Sequence, residues 1–364
     1  MAKKAPKRLY LVPILSKALD ILELMQAERD SISLEAIYQR TKISKTTVYR
    51  ILKTFVHRGY LAQTQDGLYR LVSRPKKVRF GFAGQSAEMP FSEAVTESLL
   101  SAATAAGVDL LVLDNHYDAE TALRNADDLV RQHVDLAIEF QSEQEVAPII
   151  ADKIAGAGIP LIAVEIPHPH STFYGVDNYR VGFEAGEMLA QHAVNEWTSE
   201  VDWVLGLELH NAGPLVQSRI TGAFEAVRSK LPEIPVEFFV RLDARGFRDK
   251  SYKIVLDFLR RHPRDRHILL AATNDTVALG ALQAARELKR EKHLAIVGQD
   301  CIPEALKEIS APRSCFIGSI SHEVHNYGPE LIALGLAILR GQTVAPYNYA
   351  THRAVTHESL VKDQ

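Results

Sequence analysis

SKTTVYRILKTFVHRGYL, residues 44–61, reads as one amphipathic helix running into the start of a strand. Val48, Ile51, Leu52, Phe55 and Val56 recur at helical spacing and mark a buried face. The other positions carry Ser44, Lys45, Thr46, Thr47, Tyr49, Arg50 and Lys53. Cations neutralise phosphates, and hydroxyls and Arg also reach base edges, so these seven are the candidate DNA contacts. Ser44 stands where a helix start is capped, and Gly59 where the helix should stop. Tyr60-Leu61 and Leu68-Tyr69-Arg70-Leu71 then flank a Gln65-Asp66-Gly67 turn, the pattern of a two-stranded wing. A charged helix face alone reads as solvated surface. The wing and the charge distribution turn the reading toward nucleic acid.

The chain has 364 residues, 46% of them apolar, enough for more than one domain. Its net charge of −3 conceals an asymmetry. Residues 1–79 hold 17 Lys/Arg against 6 Asp/Glu, and the remainder holds 25 against 39. A basic head suits a polyanion and the acidic body does not. Cys301 and Cys315 supply neither a disulfide framework nor a paired CxxC metal motif, and read as free thiols in a reducing compartment. The start, MAKKAPKRLYLVPIL, has a short apolar run interrupted by Pro13 and no small-residue cleavage site after it. Residues 1–15 therefore read as a basic arm on a cytoplasmic protein. No stretch is apolar enough to span a bilayer, and no membrane partner is expected.

Residues 16–27 have a helical period, with Ala18, Leu19, Ile21, Leu22 and Met25 mostly on one face. Residues 33–41 form a second short helix opened by Ser33, and a turn at Lys42-Ile43 leads into the Ser44 helix. Two helices, a tight turn and a wing make a winged helix-turn-helix. Here the sequence resembles the DNA-binding domain of the IclR family, through Lys17-Ala18-Leu19-Asp20-Ile21-Leu22, Ser33-Leu34, residues 44–58, Gly59-Tyr60-Leu61 and Tyr69-Arg70-Leu71. Lys42 departs from the Gly usual in that family's turn.

Ser73-Arg74-Pro75-Lys76-Lys77 is a basic linker without apolar period. From Val78 strand-like runs alternate with helical ones. The strands are expected at 78–83, 109–113, 136–139, 161–164, 203–208, 237–240, 268–272, 295–298 and 316–320. Helices are expected at 91–106, 119–132, 146–155, 180–195, 215–229, 247–260 and 275–288. Repeated βα units imply parallel sheets flanked by helices, and their number implies two lobes. This part resembles the type I periplasmic sugar-binding proteins and the effector-binding core of lactose-repressor-type regulators. The resemblance is carried by Met89-Pro90-Phe91, Gly158-Ile159-Pro160, Gly175-Val176-Asp177-Asn178 with Gly182, Thr273-Asn274-Asp275 with Ala278-Leu279-Gly280-Ala281-Leu282, and Val297-Gly298-Gln299-Asp300. The expected architecture is α/β, a two-lobed type I periplasmic-binding-protein fold behind an N-terminal winged helix-turn-helix. The head spans 1–73, the linker 74–77 and the ligand-binding domain 78–364. The resemblance implies three crossings between lobes, near Asp177-Asn178, near His322 and near residues 343–346. Lobe 1 then comprises about 78–177 and 322–343, and lobe 2 about 178–321 and 346–361.

Ligands in such lobes bind at the carboxyl ends of strands, in the cleft. Type I sugar sites combine carboxylates and amides, which bond vicinal hydroxyls, with aromatic rings that cover apolar sugar faces. The resemblance gives Phe91 and Phe247 as flanking rings. It gives Arg219 as a grip on ring oxygens or hydroxyls, and Glu165, Asn274, Asp300 and His322 as polar contacts. Ile166 stands where many sugar binders have Arg, and Met89 and Ser92 replace a polar residue and a second aromatic. A neutral sugar or polyol is therefore the expected ligand.

Catalytic motifs are missing from the sequence. There is no GxxxxGK[ST] loop and no GxSxG elbow. Gly81-Phe82-Ala83-Gly84 lacks the third glycine of a dinucleotide fingerprint. His322-Glu323-Val324-His325 is one residue short of HExxH, and His168-Pro169-His170 reads as a loop rather than a metal site. The expectation is a regulator that is not an enzyme and needs no cofactor. Its partners would be operator DNA, a small effector and a second copy of itself. A solute-binding protein of a transport system is the alternative, and a sugar-modifying enzyme the third.

Overall fold

The computed structural model describes residues 12–28, 31–72 and 77–362. Most of the expected basic arm, and of the linker, lies outside the described residues. The chain divides into two units, Met1–Lys77 and Val78–Gln364.

In the first unit, α1 (Pro13–Ala27) starts three residues before the expected Ser16, because proline fits a first helical turn whose N–H groups have no partner. α2 (Leu34–Thr41) is capped by the Ser33 hydroxyl, which accepts from the Ala36 N–H at 3.2 Å. It ends at Lys42, which takes the left-handed conformation at φ 58° and donates its N–H to the Tyr38 carbonyl. A side chain at such an angle costs about 1–2 kcal/mol, and glycine avoids most of that. Lys42→Gly should therefore stabilise the head by roughly 0.5–1 kcal/mol, read in calorimetry as an upward shift of its transition. An unchanged or lowered transition would contradict the strain.

α3 (Lys45–His57) buries Val48, Ile51 and Leu52 and half-buries Phe55 and Val56. It stops where Gly59 turns left-handed at φ 71°. The Gly59 N–H bonds Val56 O at 3.0 Å and the Tyr60 N–H bonds Phe55 O at 2.8 Å. The Phe55 and Tyr60 rings meet edge-on at 5.9 Å, completing a Schellman stop with its apolar contact. Ser44 holds the cap position differently from expectation. Its hydroxyl pairs with Thr47 Oγ1 at 2.8 Å and caps no backbone N–H. β1 (Leu61–Gln63) and β2 (Tyr69–Leu71) form the antiparallel wing, and Tyr69 also bridges to Ile32.

The second unit alternates strand and helix. β3 (Arg79–Gly84), α4 (Pro90–Ala106), β4 (Asp109–Asp114), α5 (Ala119–Arg131), β5 (Leu136–Glu139), α6 (Ala147–Gly156), β6 (Leu161–Val164) and β7 (Thr172–Gly175) begin lobe 1. The chain then crosses into α7 (Asn178–Glu196), β8 (Trp203–Glu208), α8 (Pro214–Lys230), β9 (Phe239–Asp243), α9 (Arg248–Arg261), β10 (Ile268–Ala272), α10 (Asp275–Glu287), β11 (Leu294–Gln299), α11 (Pro303–Ser310) and β12 (Phe316–Ser321). It returns to lobe 1 for α12 (Tyr327–Leu339) and β13 (Tyr347–Tyr349), and ends with β14 (Arg353–Thr356) and α13 (His357–Lys362). One sheet has the order β13-β7-β6-β5-β3-β4 and the other β14-β12-β11-β10-β8-β9. All pairs in both are parallel except β14, which runs antiparallel to β12.

Two expectations shift. The strand expected at 237–240 begins at Phe239, because residues 236–238 form a single 3-10 turn after Pro235. The third crossing lies at residues 350–352, since β13 still pairs with β7 in lobe 1 while β14 pairs in lobe 2.

Glu139, at the end of β5, is fully buried. Its Oε1 accepts from Asn115 Nδ2 at 2.9 Å, and Oε2 has no partner among the described residues. Burial pushes its carboxyl up to about 8. The folded state thus binds a proton that the unfolded state releases near pH 4.3. The stability from this proton is whole below that pH and is lost as pH rises through about 8. Glu139→Gln keeps the shape without the charge. It should flatten the alkaline fall in stability, by at most about 1.4 kcal/mol per pH unit. Urea denaturation from pH 5 to 9 checks this, and equal slopes in the two proteins would refute it.

Candidate functional site

On α3, Ser44, Lys45, Thr46, Tyr49, Arg50 and Lys53 are exposed and Thr47 is half-buried. All seven lie off the core face, along one amphipathic helix. Four of them have hydrogen-bond or ion-pair partners. Lys45 pairs with Glu35 at 2.6 Å, Lys53 donates to Gln63 Oε1 at 3.2 Å, and Ser44 bonds Thr47. Lys45 also lies over the Tyr38 ring and Lys53 over Tyr49.

In the second unit a cavity lies where both sheets present their carboxyl ends. Phe91, Glu165, Arg219, Asn274, Asp300 and His322 all line it. Its volume of about 60 Å³ is room for roughly four waters, or for one small molecule in their place. Phe91 enters from the first turn of α4, its ring edge-on to Phe140, His322 and Tyr327. Asn274 caps α10, its Oδ1 accepting from the Val277 N–H at 2.8 Å. Ile166 joins Leu209, Ala212 and Val216 in an apolar patch of the lining.

Arg219 reaches the cavity because α7 and α8 cross closely. A Cβ at Gly182 would stand 1.9 Å from Arg219 O, and one at Gly222 2.2 Å from Tyr179 O. Only glycine permits that approach. The guanidinium is then spread over three partners: Asn178 Oδ1 at 2.7 Å, Thr273 O at 2.7 Å and Glu165 Oε2 at 3.3 Å. Glu165 lies on lobe 1 and Arg219 on lobe 2, so their buried ion pair ties the lobes. Burial raises the Glu165 carboxyl above its usual range, while Arg219 and the Tyr327 hydroxyl, 2.5 Å from Oε1, pull it back. Its backbone is left-handed at φ 62°, and Asp300 stands at φ 101°. Strained angles of this kind persist where surrounding contacts over-determine them.

Asp300 Oδ1 lies 3.4 Å from His322 Nδ1. Three buried polar atoms of lining residues lack any hydrogen-bond partner among the described residues: Gln141 Nε2, Thr273 Oγ1 and His322 Nδ1. Orphans of this kind are rare in a protein interior unless a ligand meets them.

Phe247 is not part of the lining. It precedes α9 and packs on Tyr117 of lobe 1, ring centroids 4.9 Å apart, while Asn211 donates to Ser142 O at 3.4 Å. These contacts bring the lobes together outside the cavity. Ser92 is buried and accepts from the Ser86 N–H at 3.1 Å, fixing the loop before α4 rather than facing a ligand. Gln141 and Thr273 also line the cavity, and Gln299 and Tyr327 bond His322 and Glu165 from behind it; sequence reading named none of the four as a site residue.

Residues 80–343 match the family model described as periplasmic binding protein domain. The chain belongs to the periplasmic binding protein domain family. Residues 14–65 match a second model, the IclR helix-turn-helix domain. A search of curated proteins returns no match. Among solved structures, its fold is similar to a Mycobacterium smegmatis protein in complex with β-D-fucofuranose, at 24% identity over 78% of this chain and 93% of that one, TM-score 0.69. It is also similar to a solute-binding protein from Actinobacillus succinogenes with bound D-allose, at 18% identity over 79% and 100%, TM-score 0.68. A third is a Bacillus halodurans solute-binding protein with bound myo-inositol, at 15% identity over 80% and 99%, TM-score 0.66. At these identities the likeness establishes the fold. The two family models and these neighbours are DNA-binding and sugar-binding types. No described helix is long and apolar enough to cross a membrane.

Proposed function

We propose that the chain is a cytoplasmic, homodimeric transcription regulator whose affinity for operator DNA is set by a neutral sugar or polyol in the interlobe cavity. The observation that carries this reading is the union, in one chain, of an IclR-type helix-turn-helix and a periplasmic binding protein domain. The lactose-repressor-type plan pairs the same two activities. Phe91, Asn274, Asp300 and His322 contact the ligand, and Arg219 and Glu165 hold the lobes around it. Closure is the event transmitted to the DNA-binding units of a dimer, and the ligand drives it only by binding the closed state more tightly. The seven α3 residues contact the operator, with paired α3 helices reading half-sites about one DNA turn apart. The chain is not an enzyme on this reading.

A thermal-shift screen of sugars and polyols tests the proposal, followed by DNA binding with and without the hit. A hit that leaves DNA affinity unchanged removes the regulator reading and favours solute transport. On the DNA side, Arg50→Ala should weaken binding without loss of fold, since Arg50 is exposed. Loss of a guanine contact removes about 1–3 kcal/mol of discrimination at one base. Loss of a phosphate contact instead weakens all sequences and lowers the salt slope by about one. Unaltered affinity in a filter-binding or anisotropy titration would take α3 out of the interface.

A further inference from the structure

Two neighbouring loops gather cations at the end of lobe 2 away from the cavity. Residues 260–267, RRHPRDRH, hold four Arg against one Asp, and residues 289–293, KREKH, hold three Lys/Arg against one Glu. The loops lead into β10 and β11, whose first residues Ile268 and Leu294 are register partners, so both leave the same end of the sheet side by side. Arg290 welds the first loop to the second. It is buried and donates to Leu259 O and His262 O, each at 2.9 Å, and to Asp265 O. The nearby acids are already engaged. Asp265 accepts from Trp203 Nε1 at 2.6 Å and lies 3.0 Å from His262 Nδ1. Asp202 accepts the Arg266 and His267 N–H groups at 2.7 and 3.1 Å, Glu291 pairs with Arg286 at 2.9 Å, and Glu200 faces His267 Nδ1 at 3.9 Å. Arg260 and Arg261 are paired with Glu287 and Asp257. Arg264, Arg266, Lys289 and Lys292 remain. All four are exposed, and none of their side chains has a hydrogen-bond or ion-pair partner among the described residues. Burial, with the positive charges of Arg290, Lys292 and Arg266 around it, pulls the His293 imidazole below its usual range, so these cations from both loops converge on one spot.

We propose that Arg264, Arg266, Lys289 and Lys292 form a second polyanion surface, which takes the phosphodiester backbone of double-stranded DNA without reading its sequence. The net charge of the body hides this surface. Residues 78–177 hold 16 Asp/Glu against 4 Lys/Arg, whereas residues 178–321 hold 19 of each, so the acidity belongs to lobe 1 and lobe 2 is free to carry a local basic face. Like charges held together on a fixed scaffold repel one another, and an arriving anion relieves that repulsion. Arg meets a phosphate with two parallel hydrogen bonds, and Lys meets it as a point charge. The surroundings favour DNA over an acidic protein. Among the described residues no large hydrophobic between 237 and 346 is exposed. A stable protein interface needs an apolar or aromatic anchor at its centre, while a phosphate backbone is held by cations alone. The surface goes beyond the regulator reading, since it involves neither α3 nor an effector.

The test uses the full chain and a long duplex of arbitrary sequence, in anisotropy titrations from about 50 to 200 mM salt. Every protein carries Arg50→Ala and Lys53→Ala, so that α3 does not mask the second surface. One variant combines Arg264→Gln, Arg266→Gln, Lys289→Gln and Lys292→Gln. A control removes the same charge elsewhere, with Arg124→Gln, Arg131→Gln, Lys253→Gln and Arg340→Gln. All eight side chains are exposed, so both variants should melt as their parent does. Each phosphate contact adds about 0.9 to the slope of log affinity against log salt. The first variant should therefore flatten that slope by about two to four and weaken binding about tenfold or more at the lowest salt, and the control should do neither. An unchanged slope in the first variant overturns the proposal. An equal change in both variants also overturns it, by reducing the effect to net charge. Poly-L-glutamate is the last arm. If the parent binds it, the first variant does not, and their DNA slopes agree, then the surface takes acidic protein and the assignment to DNA falls.

Discussion

Arg219→Leu is expected to cost the ligand-binding unit about 3–5 kcal/mol of stability. The guanidinium satisfies Asn178, Thr273 and Glu165 at once, and all three partners are buried. Leucine fills part of the volume and leaves the Glu165 charge buried with the Tyr327 hydroxyl and the Val176 backbone N–H, but no cation, against it. Removing one member of a buried pair is far costlier than removing both. Glu165→Gln in the Arg219→Leu background should therefore recover a good part of the loss. Arg219→Lys should not, because an ammonium cannot reach three partners in the plane of a fork. Urea denaturation of the four proteins reads all of this. A single-variant loss below about 1 kcal/mol would place the pair among the weak, solvent-screened ion pairs and refute its role as a tie between lobes.

Asp300→Ala is expected to lower ligand affinity ten- to a hundredfold or more, because a hydrogen bond to a charged group in a desolvated cleft contributes about 1.5–3 kcal/mol. Its effect on folding runs the other way. The Asp300 charge is already disfavoured by burial and by Asp275, so the empty variant should be as stable as its parent or more so. DNA binding by the unliganded variant should not change, and its response to a ligand series should be lost. Titration calorimetry and denaturation on one preparation separate these effects. Parental ligand affinity would remove Asp300 from the site, and a large loss of stability would recast it as structural.

The elements that sequence reading located are those whose burial leaves a period. α3 is the clearest case, since Val48, Ile51 and Leu52 recur on the face it buries. The central strands β5, β6, β10 and β11 are apolar on both faces and show as continuous runs. β13 left no such trace. It is a three-residue edge strand with Tyr347 and Tyr349 exposed, so its sequence looks like a loop. The resemblance put the third crossing before Tyr347, and the structure puts it after Tyr349. The site divides in the same way. The family resemblance named Phe91, Glu165, Arg219, Asn274, Asp300 and His322, and all six line one cavity. It misplaced Phe247, because a ring one residue before a helix can face the ligand or the opposite lobe, and Tyr117 decides which. Gln299 and Tyr327 were illegible for another reason. Each is a buried polar group satisfied by a partner distant in sequence, and no local pattern encodes such a pairing.

The order in which the chain visits its two sheets has a consequence for biosynthesis. Synthesis delivers β7 early, yet the strand that covers its open edge is residues 347–349, which emerge only after all of β8 to β12. Until then lobe 1 presents an unpaired strand and lacks α12 on its face, the kind of edge that recruits other chains. A premature stop or a proteolytic clip anywhere between His322 and Tyr349 would therefore harm the lobe that was made first. The head, complete by about residue 72, would be untouched by the same cut.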